Sequence, residues 1–290
     1  MAIKDILIII AVTAIWGLNF SVTKFGMEYV PPLFLNALRF TVVALMAFVI
    51  PRPSVDWRIF AGIGVFIGVI KFSLVFVGIK LGLGAGLSSV VIQGQVFFTI
   101  ILAFLLYKER VQIYQVIGLL IGFAGLFVMS FDDGGDFNLL GFALTVLGSL
   151  MWGIANMFFR RTGSTEAVAV IVWASVVALI PLWLLSAFFD GPDVIMQSFQ
   201  NFNLQVIFVV LFASIFSTVF AYSMWGKMLS KYPAADVTPF ALLIPVSGLL
   251  GGVFIVNETI SVIAMIGIII IMVGLAVSIL GGRVRRYLGS

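Results

Sequence analysis

The sequence has no cysteine and no histidine. Without cysteine, disulfides, thiol nucleophiles and cysteine-ligated metals are excluded. Without histidine, the usual general base and the commonest metal ligand are gone. Charge is scarce as well: Asp, Glu, Lys and Arg make up 10% of 290 residues, where a soluble domain carries about a quarter. So few charges cannot cover a water-facing exterior, and the solvent of this chain is therefore mostly lipid. A G-x-x-x-x-G-K-[ST] loop is also missing, which excludes ATP hydrolysis by that route. The sequence pI is near 9.5, but 16 cations among 62% hydrophobic residues do not form a basic face for nucleic acid. They read as loop anchors for membrane topology. No cofactor, metal or nucleic-acid partner is expected.

What is present is apolar sequence in long runs. A membrane-spanning helix needs about 20 mostly apolar residues. Cutting at charged and Pro/Gly-rich breaks gives ten such runs, at 5–25, 31–50, 58–79, 84–106, 112–130, 138–159, 167–188, 204–226, 235–256 and 260–281. The first is long for a signal-peptide core and has no clear small-x-small cleavage site, so it is expected to be retained. With the N-terminus inside, only Lys24 and Lys80 fall on the outer side, and only Arg39 and Lys71 within spans. All other cations are then inner, and the outer loops hold acids such as Glu28, Asp132, Asp133, Asp136, Asp190, Asp193 and Glu258. That bias predicts both termini in the cytoplasm.

The chain also repeats itself. Trp16-Gly17 recurs as Trp152-Gly153, and Lys24 corresponds to Arg160. "YKERVQIYQVIGLLIGFAGL" (107–126) aligns with "VNETISVIAMIGIIIIMVGL" (256–275), pairing Glu109 with Glu258, Gly118 with Gly267 and Gly125 with Gly274 at one constant offset. Residues 1–131 and 132–290 therefore read as two copies of a five-helix unit. Five is odd, so the second copy enters the membrane from the opposite side. An all-α membrane protein of ten helices in two inverted repeats around a central cavity is expected, and such a pair can exchange inward-open and outward-open states.

The segments "WGLNF" (16–20), "PPLFLNALRF" (31–40), "GLSSVVIQGQVFFTIILAFLLYKER" (86–110) and "PFALLIPVSGLLGGVFIVNET" (239–259) resemble the drug/metabolite transporter superfamily, and its EamA family in particular. The resemblance covers essentially the whole chain. It implies ten helices around a central cavity and export of amino acids and related metabolites across the bacterial inner membrane. It carries no catalytic signature, and a monomer is expected to suffice for transport.

Candidate site residues follow from depth, at 1.5 Å of rise per residue. Arg39 lies about 12 Å in from the outer end of its span and Lys71 close to the midplane. Charge at that depth faces a bundle interior or water, and no Asp or Glu reaches it. A substrate carboxylate can supply the missing negative charge, with Arg39 offering a planar bidentate fork. The alternative is that Arg39 caps backbone carbonyls or snorkels and that Lys71 is partly neutral, and for Lys71 this is the favoured reading. Trp16, Asn19, Ser89, Gln93, Gln95, Pro245 and Ser247 complete the candidate substrate-binding set. Gln93 and Gln95 face about 200° apart on a helix, so one is expected to line the cavity and the other to bridge helices. Tyr222 and Trp225 read as interfacial anchors, and Asn156 as packing or part of an inner gate. Gly94, Pro239, Pro245 and Gly248 are candidate hinges, predicting that the fourth and ninth spans bend at mid-height.

Buried Asp, Glu or His usually carries the proton relay of a pump. Their absence points to facilitated diffusion or exchange. A membrane enzyme would need paired acids or a nucleophile–base pair in a cavity, and none is visible. An exporter of drugs or cationic metabolites remains the rival, although such a site would usually present an acid or an aromatic cage.

Overall fold

The computed structural model describes residues 1–108, 111–132, 134–162, 166–200, 202–232 and 237–288, without the side chains of 229, 230, 238, 239 and 282–288. Glu109, Arg110, Asp133 and the side chains of Pro239, Arg283, Arg285 and Arg286 thus lie outside the described residues.

All described regular structure is helical. Seven helices are long and apolar enough to cross a membrane: α1 (Ile3–Gly26), α3 (Trp57–Lys80), α4 (Ala85–Tyr107), α6 (Leu139–Phe159), α7 (Ala167–Phe189), α9 (Leu204–Met228) and α11 (Val262–Gly281). Three shorter apolar helices stand among them: α2 (Pro32–Phe48), α5 (Ile113–Met129) and α10 (Phe240–Val256). Seventeen residues, as in α5, rise about 26 Å, a little less than the roughly 30 Å hydrocarbon layer. Pro51 and Pro53 follow α2 and keep the helix from extending.

The expected loop after residue 190 contains a further helix, α8 (Pro192–Gln200). Its sequence explains it: Pro192 is suited to a first helical position and Asp193 to the positive N-terminal end. Elsewhere the ends follow local chemistry. The side chains of Asn138 and Asn203 accept from the N–H groups of Gly141 and Val206, capping α6 and α9. Between α3 and α4 the chain reverses at Gly82, whose φ of +111° is strained for any L side chain.

Irregular stretches interrupt several helices, among them the 3₁₀ turn Met46–Phe48 that ends α2. Gly64–Lys71 in α3 and Phe212–Phe220 in α9 are wound as π-helix. Ile92–Gly94 in α4 and Thr238–Leu242 at the start of α10 are tight 3₁₀ turns. Widened turns leave carbonyls in need of partners. Asn36 on α2 donates its amide to the Gly68 carbonyl at 3.2 Å, and Thr218 donates back to Ala213 at 2.8 Å, five residues earlier.

Helices pack through small residues, as expected where lipid offers no hydrophobic drive between helices. α1 runs along α10, α4 along α6, α2 along α7 and α5 along α11. In the last pair Gly118 faces Gly274, and Gly125 faces Gly267, each against the partner's carbonyl oxygen. One buried apolar cluster joins α1, α2, α3, α7 and α9, and a second joins α4, α5, α6 and α11. Phe48, Phe188, Leu204, Phe254 and Val262 point outward and largely exposed, a surface suited to lipid and not to water.

Candidate functional site

The two irregular windings set up a closed chamber. Lys71 is the last residue of the π-wound stretch in α3, and Ser217 and Thr218 lie inside the one in α9. Arg39 reaches between them from α2. Its Nε and Nη2 donate to Thr218 Oγ1 at 3.2 and 2.9 Å. Ser214 fixes the backbone behind it by donating to the Arg39 carbonyl at 3.0 Å. The third guanidinium nitrogen, Nη1, is buried with no partner.

Arg39 and Lys71 share an aromatic neighbour. The Arg39 Cζ lies 4.1 Å, and the Lys71 Nζ 3.5 Å, from the centre of the Phe72 ring. Lys71 also stands 4.4 Å from the centre of Trp152. Both cations are almost wholly buried, at 2% and 3% exposure, and the ring distances put their charges within about 8 Å of each other. At an effective dielectric near 20 they repel by about 2 kcal/mol. Among the described residues the buried carboxylates are Asp5, Asp132 and Glu258, all at helix ends or in loops. The chamber therefore holds two basic side chains and, among the described residues, no carboxylate.

Trp16, Asn19, Phe20, Ile92, Trp152, Ser217, Tyr222 and Ile244 line the remaining walls. Asn19 Oδ1 is buried without a donor. Trp16 is held by its Nε1, which donates to the Ser217 carbonyl at 2.9 Å, and its ring packs against Tyr222 and Trp225 at 5.2 and 5.3 Å. The space left is about 30 Å³, enough for one or two water molecules and far too little for an amino acid.

Of the predicted site residues, the structure brings Trp16, Asn19, Arg39 and Lys71 together in this chamber. The others lie elsewhere. Ser89 donates to the Gly86 carbonyl and packs against Gly248. Gln93 donates to the Ala241 carbonyl at 3.3 Å, bridging α4 and α10. Gln95 accepts from Asn156 Nδ2 at 2.7 Å, bridging α4 and α6. Neither glutamine lines the chamber, because the helices on both sides of α4 need polar partners. Ser247 donates back to the Leu243 carbonyl and abuts Gly17, and Pro245 is buried beside it. Of the hinge candidates, Gly94 closes the 3₁₀ turn of α4, while Pro245 and Gly248 sit within the helical part of α10. Tyr222 is not an interfacial anchor: its ring faces Arg39 and Trp16. Trp152 was legible only as the repeat partner of Trp16. Phe72, which stacks on both cations, carried no signal beyond its neighbour Lys71.

Polar clusters tie both ends of α1 to neighbouring elements. On the side of its C-terminal end, Lys24 donates to Glu258 Oε1 at 2.8 Å. The Glu258 carboxylate also accepts from the Ala85 N–H and, at 2.8 Å, the Gly86 N–H, so it caps the positive end of α4. Asp136 joins this group by accepting from the Thr259 N–H at 2.7 Å. At the other end of α1, Asp5 Oδ2 accepts from Lys231 at 2.7 Å and from the Tyr232 hydroxyl at 2.6 Å. The partnership with Asp5 raises the Lys231 ammonium above its ordinary pKa.

A bundle of apolar helices around a sealed, charged chamber defines the class: a multi-pass membrane protein built to handle a small solute. The EamA-like transporter family profile matches residues 3–131 and 139–280, and the chain belongs to that family. A protein of Salmonella typhimurium named "Probable amino-acid metabolite efflux pump" is 33% identical, over 99% of this chain and 98% of its own length. The protein of the same name from Escherichia coli strain K12 is 32% identical over the same shares. A transporter of Archaeoglobus fulgidus, named as uncharacterized, is 28% identical over 92% of this chain and 96% of its own. One solved crystal structure aligns over 97% of both chains with a TM-score of 0.61 at 19% identity, a likeness in fold alone.

Proposed function

We propose that this protein exports amino acids and related small metabolites across the bacterial inner membrane by alternating access. The observation that carries the reading is the chamber itself: Arg39, whose Nη1 is buried without a partner, and Lys71 line one space whose lining includes no carboxylate among the described residues. A substrate carboxylate completes it, taking two donors from Arg39 in the bidentate geometry that guanidinium favours. The names of the two closely similar bacterial relatives support the substrate class. A cationic drug or metabolite would meet two positive charges and no acid, which disfavours the rival reading.

The mechanism rests on ten crossings, the three shorter apolar helices included, arranged as inverted halves 1–131 and 132–290. Five pairs of features support the inversion. The 3₁₀ turn at Ile92–Gly94 and the π-winding at Gly64–Lys71 have counterparts at Thr238–Leu242 and Phe212–Phe220. The described non-glycine residues with positive φ, Lys108 and Asn257, stand at equivalent helix ends. Gly17 packs on Ser247, and its partner Gly153 packs on Phe98, the counterpart of Ser247. Gly118 and Gly125 meet Gly274 and Gly267 in the crossed manner of a two-fold contact. Both termini are cytoplasmic, by the cation bias. The Glu258 latch is then the outer gate and the Asp5 latch the inner one, and the cycle breaks one while the other holds. With no carboxylate at chamber depth, the cycle runs as facilitated diffusion or exchange, in a monomer.

The test is the purified protein in liposomes, offered a panel of labelled amino acids, with Arg39→Ala and Lys71→Ala alongside. Losing two hydrogen bonds to a charged group, about 1.5–3 kcal/mol each, lowers transport about 100-fold or more for Arg39→Ala. Rates unchanged in both variants would remove the chamber from the pathway.

A further inference from the structure

Resting on the export reading, we infer that the transported solute is an amino-acid metabolite with a second acidic group and a net negative charge. The argument is charge accounting in the chamber. Arg39 and Lys71 lie against one face partner, Phe72, and neither meets a carboxylate. Arg39 Nη1 is buried without a partner, while Lys71 Nζ lies against the rings of Phe72 and Trp152. Two separate cationic groups call for two separate anionic groups. A zwitterion with a neutral side chain brings only one and adds an ammonium of its own. The site then keeps its full excess of positive charge in a place where unpaired charge is costly.

An acidic amino-acid metabolite fits each part. One carboxylate pairs with Arg39, the other with Lys71. Its ammonium has two kinds of partner among the other lining residues: Asn19 Oδ1, a buried acceptor without a donor, and the rings of Trp16 and Tyr222, which attract a cation through their ring electrons. The same charge provides a driving force. In a cell with a negative interior, each exported negative charge runs down the membrane potential, worth about a 50-fold concentration ratio at 100 mV. A net-neutral amino acid gains nothing from it. An exporter of acidic solutes therefore needs no proton relay, in keeping with a chamber free of carboxylates.

The experiment compares acid and amide of one shape, aspartate with asparagine and glutamate with glutamine. Labelled solutes are offered to the unmodified protein in liposomes, without a pH gradient, under potassium diffusion potentials of either sign. The expected result is at least a tenfold preference for the acid of each pair, and accumulation of that acid in inside-positive vesicles approaching 50-fold at 100 mV. Lys71→Met is expected to reduce the acid-to-amide ratio about tenfold, and Lys71→Arg to keep it. Should Lys71→Met fail to fold, the ratio measured on the unmodified protein still decides. Amides or other neutral amino acids carried as well as the acids, or acid transport blind to the potential, would overturn the inference and leave the export reading standing. If no amino acid of either kind moves, the export reading falls too.

Discussion

Glu258→Gln is the sharpest perturbation of the proposed latch at the Lys24 end of α1. The Glu258 side chain is 3% exposed, and it takes Lys24 Nζ at 2.8 Å, Gly86 N–H at 2.8 Å and the Ala85 N–H. Glutamine keeps the shape and loses the charge. Its amide nitrogen also faces donors with nothing to accept, because every present partner of the carboxylate is an N–H group. A bond to a charged acceptor is worth about 1.5–3 kcal/mol against about 1 for a neutral one. Breaking a buried pair costs about 3–5 kcal/mol, and the low end applies because Lys24 retains 27% exposure and can turn to Asp136 at 3.9 Å. About 3 kcal/mol shifts the ratio of outward-open to outward-closed forms about 100-fold. The native chain has no cysteine, so Ser217→Cys places a single thiol in the chamber wall without background. Its reaction with a membrane-impermeant thiol reagent added outside reports opening. Labelling should accelerate about 100-fold with Glu258→Gln and only a few-fold with the more exposed Lys24→Met. Equal and unchanged labelling in all three backgrounds would refute the latch.

Three further outcomes are expected. Arg39→Lys should lower transport at least tenfold despite the retained charge, since an ammonium cannot bond Thr218 and a solute carboxylate in one plane; a proteoliposome flux assay checks this. Gly118→Ala places a methyl 2.5 Å from the Gly274 carbonyl oxygen and 2.7 Å from the Ser278 backbone nitrogen. The helices must part, so detergent melting should show a loss of about 1–3 kcal/mol, and an unchanged melting temperature would contradict the contact. Burial raises the Asp190 pKa above its ordinary value, against the opposing bonds from Ser186 and the Phe34 N–H. An acid with a raised folded pKa binds more protons folded than unfolded, so stability falls as pH rises from the ordinary carboxylate range through the folded value. Asp190→Asn should flatten that slope in melting curves taken across pH 4 to 7, and an identical slope would contradict the assignment.

Much of the fold was legible because lipid imposes length and composition. Seven of the ten apolar ranges hold helices long and apolar enough to cross a membrane, the other three hold shorter apolar helices, and the break at 80–86 closes on Gly82. The winding within them was not legible: a π-turn and an α-turn have the same apolar composition, and only the hydrogen-bond register differs. That register places Lys71 and Thr218 beside Arg39, so the sequence showed two cations at depth but not their convergence on Phe72. Tyr222 was misread because nearness to a helix end says nothing of the direction its ring faces. Glu258 read as one more loop acid. Its role as a cap on α4 depends on a contact across more than half of the chain, and no local pattern carries such a contact. The polar residues of α4, Ser89, Gln93 and Gln95, were drawn toward the site by depth alone. Small and amide side chains at that depth serve helix packing just as well.

The central claim is a solute site formed by Arg39 and Lys71 and exposed to one side at a time. Counterflow tests it most directly. Vesicles holding the wild-type protein and loaded with unlabelled solute should speed the uptake of labelled solute, with saturation, and the double variant Arg39→Ala, Lys71→Ala should lose the effect. Counterflow that survives the loss of both cations would contradict the account.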